Sequence, residues 1–271
     1  MCPIKVNKKK LGDTELSIPE IGLGTWNYNG GVEPLKKGIE QGANLIDTAE
    51  GYYNEDVVGQ AVKGKRDQVI IATKVSGRHL GYEDVLWACE NSLKKLQTDY
   101  IDLYQVHWPN DAFPIQGTME AMEKLVDEGV VMYVGVSNFS VDQFKEAQHF
   151  FPNYKIQSNQ VRYNLNDREI EDELLPYCQE NSITVLAYTP LDSGQLCNIE
   201  KNSSEKIRVL NNIADSCNKT PGQAALNWCI KHDNVIAIPK SNSVGRTIEN
   251  CGSSGWYISD EEMIKLNNTF Q

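Results

Sequence analysis

With 271 residues, 40% hydrophobic content and a formal net charge of −11, the chain suits one large α/β barrel or two small domains, with enough apolar side chain for a sizeable core. The acidic balance argues against nucleic acid or an anionic membrane surface as partner, and no apolar run reaches the ~18 residues needed to cross a bilayer. Seven scattered cysteines show no Cys-x-x-Cys and no metal-ligand spacing, and Met1 leads into polar sequence without a signal-peptide core. The expectation is a cytoplasmic protein with reduced thiols and no metal, a monomer or weak dimer, in which the sequons at Asn138 and Asn202 are chance matches.

Residues 4–18 predict a short hairpin around Leu11-Gly12-Asp13, its lysines (Lys5, Lys8, Lys9, Lys10) solvated. Eight strand-length apolar runs follow, at 20–23, 44–47, 69–73, 101–106, 132–136, 156–159, 184–187 and 235–238, with helical patterns alternating between them. The stripe Val85, Leu86, Cys89, Leu93, Leu96 predicts a helix over Tyr82–Leu96. Ser140 to Gln143 and Ser259 to Glu262 read as capping boxes, and Thr220-Pro221 places proline at a first helical position before a helix at 223–231. The polar stretch 192–205 reads as a loop, and Tyr53 as packing where a helix begins.

Continuous apolar runs alternating with helices indicate a parallel sheet covered on both faces. Eight of them favour a closed (β/α)8 TIM barrel with an N-terminal β-hairpin and a short C-terminal tail, one α/β domain over 1–271. The doubly wound alternative lacks its fingerprint: Gly22-Leu23-Gly24 is followed by Asn27 where a third glycine belongs, and no helix opens there. In a barrel the strand C-termini share one mouth, so the polar groups that end the runs converge.

Asp47, Tyr52, Lys74 and His107 end or follow successive runs. A phenol titrates near 10, an ammonium beside it stabilises the phenolate, and a carboxylate holds the ammonium in place. A histidine at the next strand end orients a carbonyl oxygen. This is the protein's share of carbonyl reduction, with the hydride left to a cofactor. Trp26, Tyr28, Trp108 and Phe113 are candidates to line an apolar pocket.

The chain resembles the aldo-keto reductases, nicotinamide-dependent barrels, over essentially its whole length. The resemblance rests on Gly22-Leu23-Gly24-Thr25-Trp26, Asp47-Thr48-Ala49 with Tyr52 and Glu55, Ile71-Ala72-Thr73-Lys74, Asp99 to Leu103 through His107-Trp108, Gly135 to Phe139, Gln160, Ala187-Tyr188 and Ile238-Pro239-Lys240-Ser241. It implies Tyr52 as general acid tuned by Lys74 and Asp47, with His107 orienting the carbonyl. Trp26, Tyr52, His107 and Trp108 would then face substrate. Ser137, Asn138 and Gln160 would hold the nicotinamide carboxamide and Tyr188 would stack on its ring. The remaining cofactor contacts would come from Gly24, Thr25, Trp26, Asp47, Pro190, Leu191, Ile238 and Glu249, with Asn250 near the adenine. Lys240, Ser241 and Arg246 fit an adenosine 2′-phosphate, which favours NADP(H).

Tyr53 departs from the family, which commonly has glycine there. The short loop 110–114 and the short tail imply an open site for small aldehydes or ketones. Two other readings stay open: a nucleotide-sensing barrel with little turnover, and an aldolase using Lys74 as a Schiff base.

Overall fold

The computed structural model describes residues 6–197 and 204–271. Lys5 and the sequon asparagine Asn202 lie outside the described residues. The hairpin pairs β1 (Lys8–Lys10) with β2 (Ser17–Pro19), antiparallel, Lys9 opposite Ile18. It closes the floor of a barrel: Gly12 N–H donates to Thr184 Oγ1 at 2.8 Å, and Leu11 and Ile18 join Leu45, Ile70, Leu103 and Ile236 in a small inner cluster. Lys9 is not solvated as expected. Its Nζ donates to the carbonyls of His232 (2.7 Å) and Val235 (3.0 Å), and burial lowers its pKa.

Eight parallel strands follow in sequence order: β3 (Leu23–Gly24), β4 (Leu45–Asp47), β5 (Ile70–Val75), β6 (Ile101–Val106), β7 (Val131–Ser137), β8 (Ile156–Arg162), β9 (Thr184–Tyr188) and β10 (Val235–Ala237). The ring closes where Ile21 bridges Ala237 and Gly24 bridges Lys240, with Gly22 N–H on Ala237 O at 2.8 Å. Each run expected from sequence is a strand or, for the first, begins one. The run at 101–106 matches β6 residue for residue, and the other spans are offset or differ in length by a few residues, because ladder pairing and not hydrophobicity ends a strand.

The helices are α1 (Glu33–Glu40), α2 (Glu55–Val62), α3 (Tyr82–Leu96), α4 (Ile115–Asp127), α5 (Val141–His149), α6 (Leu174–Glu180), α7 (Glu205–Ser216), α8 (Pro221–Cys229), α9 (Val244–Cys251) and α10 (Asp260–Thr269). Every residue of β5 is buried, Ile70 and Ala72 toward the inner cluster and Ile71 and Val75 toward the helical layer, as a strand covered on both faces requires. None of the described helices is long and apolar enough to cross a membrane.

Three readings change. The segment expected as a loop at 192–205 contains a kinked turn, Asp192–Cys197, and at its far end Ser204 caps α7, accepting from Ile207 N–H. The helix expected at 223–231 starts earlier, at Pro221, because Thr220 and Gln223 form a complete capping box. Ser259 caps α10, but the reciprocal half is missing: the Glu262 carboxylate instead accepts the Ser216 hydroxyl at 2.5 Å.

Candidate active site

β4 delivers Asp47 to the mouth, and the chain then makes a tight turn, Glu50–Tyr52, before α2. Asn54 holds this crossing from beneath: its Nδ2 donates to Thr25 O (2.7 Å) and its Oδ1 accepts the Thr48 hydroxyl (2.9 Å). Tyr53 leaves the turn with φ 56°, in the left-handed region that glycine adopts without steric cost. It does not pack against α2 as expected; it is 86% exposed.

Lys74, near the end of β5, is fully buried and its Nζ is the centre of the cluster. It donates to Asp47 Oδ1 (2.8 Å), to Thr48 O (2.8 Å) and more loosely to Tyr52 Oη (3.4 Å). Tyr52 Oη also lies 3.4 Å from His107 Nε2, the two rings meeting edge to face. The other Asp47 oxygen accepts Gln160 Nε2 at 2.7 Å, so both carboxylate oxygens are engaged. All four residues expected to share one rim do share it.

The electrostatics are more particular than the sequence suggests. Burial pushes the Tyr52 phenol above its ordinary value, and the pull of Lys74 in the opposite direction does not cancel it. The phenol is therefore not acidified overall, because desolvation of the phenolate outweighs the nearby ammonium. Burial also opposes the Lys74 charge, yet Asp47 and Tyr52 more than offset it and the ammonium is held above its ordinary pKa. Burial, with Lys74 adding to it, drops His107 to about 3, which makes it a neutral imidazole.

Around this cluster Ser137 Oγ donates to Gln160 O (2.8 Å), and Asn138 Nδ2 donates to His107 O (3.2 Å). Tyr188 Oη donates to Asn138 Oδ1 at 3.0 Å. Trp26 and Trp108 are exposed, 64% and 50%, on the segments following β3 and β6. Of the two residues expected beside them, Tyr28 is buried in the main core with its hydroxyl on Gly31 O, and Phe113 is partly buried and packs against that core.

A cavity between the ends of β3 and β10 and the helices α1 and α9 is lined by Gly22, Gly24, Leu35, Ser241, Thr247 and Asn250. A Cβ on Gly24 would lie 2.5 Å from Ile238 O, so only glycine permits this approach. Lys240 and Arg246 are exposed beside the cavity, at the N-terminal end of α9. Arg246 is held by Glu249 (2.6 Å), which accepts the Thr220 hydroxyl (2.7 Å). Two cations, a hydroxyl and a helix N-terminus suit a phosphate monoester, and the residues present fit a phosphorylated dinucleotide. Thr25 Oγ1 is spent on Asp47 O, and the Ile238 side chain packs in the barrel interior. Pro190 and Leu191 sit on a segment with left-handed residues at Thr189, Asp192, Ser193 and Gly194.

Two features escaped the sequence reading. One is the Gln160–Asp47 tie; the other is Glu50, whose carboxylate accepts Ser76 N–H (2.9 Å) and meets His79 Nδ1 (2.7 Å). Glu50 lies inside a motif, but nothing local names its partners.

The family model described as "Aldo/keto reductase family" matches residues 20–269. Methylglyoxal reductase YeaE of Escherichia coli is 37% identical over 94% of this chain and 92% of its own length. Glyoxal reductase of Bacillus subtilis is 37% identical over 93% of this chain and 88% of its own. An aldo-keto reductase from Klebsiella pneumoniae, crystallised with NADPH, superposes with a TM-score of 0.89 at 39% identity, covering 98% of this chain and 95% of that one.

Proposed function

The chain belongs to the aldo/keto reductase family, and from that premise we propose that it reduces small aldehydes and ketones to alcohols with NADPH, Tyr52 donating the proton. The observation that carries this reading is the placement of Lys74 Nζ between Asp47 Oδ1 (2.8 Å) and Tyr52 Oη (3.4 Å), with His107 Nε2 beside the same phenol (3.4 Å).

NADPH supplies the hydride when bound. The chain's own groups do the rest. A carbonyl oxygen seated between Tyr52 Oη and His107 Nε2 receives a hydrogen bond from each, the imidazole donating as the neutral tautomer protonated at Nε2. Tyr52 gives up its proton as negative charge develops on that oxygen, and Lys74 neutralises the phenolate left behind. Asp47 and Gln160 keep the ammonium in place without exposing it to water. The same ion pair counts against a Schiff-base role for Lys74, since a raised pKa keeps the amine protonated and non-nucleophilic.

Lys240, Ser241 and Arg246 would hold the adenosine 2′-phosphate, and so would favour NADPH over NADH. The exposed Trp26 and Trp108 leave the mouth open to small carbonyl compounds, in keeping with relatives named for methylglyoxal and glyoxal. The test is fluorescence titration with NADPH and NADH, followed by turnover of a carbonyl panel by wild type and Tyr52→Phe. Tight NADPH binding with no turnover of any carbonyl would replace this reading with the nucleotide-sensing one.

A further inference from the structure

Glu50 opens the turn that carries Tyr52, and its side chain is mostly buried at 12% exposure. One carboxylate oxygen accepts the N–H of Ser76 and the other meets His79 Nδ1. Ser76 follows the last residue of β5, two positions beyond Lys74, where a backbone donor leaving the ladder needs a new acceptor. His79 is itself held, its N–H on Ser76 O (2.9 Å) and its ring edge-on to Trp87 of α3 (5.4 Å, 85°). A single side chain thus joins the segment bearing the phenol to the segment bearing the ammonium. At 3.4 Å the Lys74–Tyr52 contact is already long, so a small shift of the turn would break it.

We propose that Glu50 is a positioning residue for the proton donor: it latches the Tyr52 turn to the chain leaving β5 and so sets the distance between Tyr52 Oη and Lys74 Nζ. This rests on the reading of Tyr52 as the acid. Neither contact requires a negative charge. A glutamine at 50 accepts from Ser76 N–H through its oxygen and donates through its amide nitrogen to a neutral His79 bare at Nδ1. Reach is what matters, and alanine or aspartate lacks it.

The experiment compares Glu50→Ala, Glu50→Asp and Glu50→Gln with wild type, and Glu50→Ala in the Tyr52→Phe background, by kcat and KM for a carbonyl and by NADPH binding fluorescence. Misplacing the donor lowers kcat roughly tenfold to a hundredfold in the alanine and aspartate variants, with NADPH affinity held within about twofold. Glutamine restores kcat to within about threefold of wild type, and in the Tyr52→Phe background the alanine change costs nothing further. The aspartate variant keeps a carboxyl group at this position and carries the test if the alanine variant does not fold.

The latch is overturned by wild-type kcat in either shortened variant, by a glutamine variant as slow as alanine, or by an equal loss in the Tyr52→Phe background. A wild type without carbonyl turnover instead removes the reading of Tyr52, and the latch with it.

Discussion

Tyr52 must hold its proton until a carbonyl oxygen arrives and release it only then. Its pKa, raised by burial above the ordinary phenol value of 10.0, meets the first demand, and Lys74 at 3.4 Å meets the second by receiving the phenolate. Tyr52→Phe therefore lowers kcat by about 10²–10⁴ while leaving NADPH titration unchanged. In wild type the reduction rate is flat through neutral pH and falls only where the phenol ionises, on the alkaline side of 10. A rate that declined through neutral pH would contradict this assignment.

His107 makes the opposite kind of statement, about acid stability. Its folded pKa of about 3 lies below the ordinary 6.5, so as pH falls through 6.5 the unfolded chain takes up a proton that the native state refuses. Stability is lost across that window and the loss is complete near 3. The slope is at most about 1.4 kcal/mol per pH unit, less where solvent reaches the ring. Urea midpoints measured down this range should fall more steeply for wild type than for His107→Gln, and equal slopes would assign the acid lability elsewhere.

At the scale of elements, the turn after β4 stores strain beside the chemistry. Tyr53 is held at φ 56° with its ring 86% exposed, so no packing compensates for the left-handed backbone. That conformation costs an L-residue about 1–2 kcal/mol, against about 0.5–1 kcal/mol of extra chain entropy lost by glycine. Tyr53→Gly should raise stability by about 0.5–1 kcal/mol in a denaturant titration, with kcat unchanged. A loss of stability would mean that the ring makes contacts on the surface after all.

Elements like α3 were legible to the residue because an apolar stripe acts locally. The capping boxes at Ser140 and Thr220 were legible for the same reason. α7 was not, since its start follows a polar run that resembles a loop until Leu210, Ile213 and Ala214 meet the core. Lys9 misled in the same way: three lysines in a row look solvated, and only the folded barrel supplies the carbonyls that bury the middle one. Glu50 is the limiting case at the site, a residue lying between motif positions whose partners Ser76 and His79 are set by how two loops lie against each other.

For the whole molecule, the question is how a chain with a formal net charge of −11 attracts an anionic dinucleotide. Closing the barrel brings the end of β3 beside the segment after β10, where Ser241, Thr247 and Asn250 help line one cavity and the exposed Lys240 and Arg246 are their chain neighbours. Charges farther away than a Debye length of about 8 Å are largely screened at physiological salt, so this local group competes only with near neighbours such as Glu249. The two possibilities respond to salt with opposite sign. If the net charge governed binding, added salt would screen repulsion and tighten NADPH; if the local cations govern, added salt weakens NADPH more than NADH. The geometry predicts the second, together with a roughly tenfold loss of NADPH affinity in Arg246→Ala and little change for NADH, the size of a lost charge-assisted hydrogen bond. Titrating both dinucleotides against both proteins at low and high ionic strength checks this. Equal losses for the two cofactors would detach Arg246 from the 2′-phosphate.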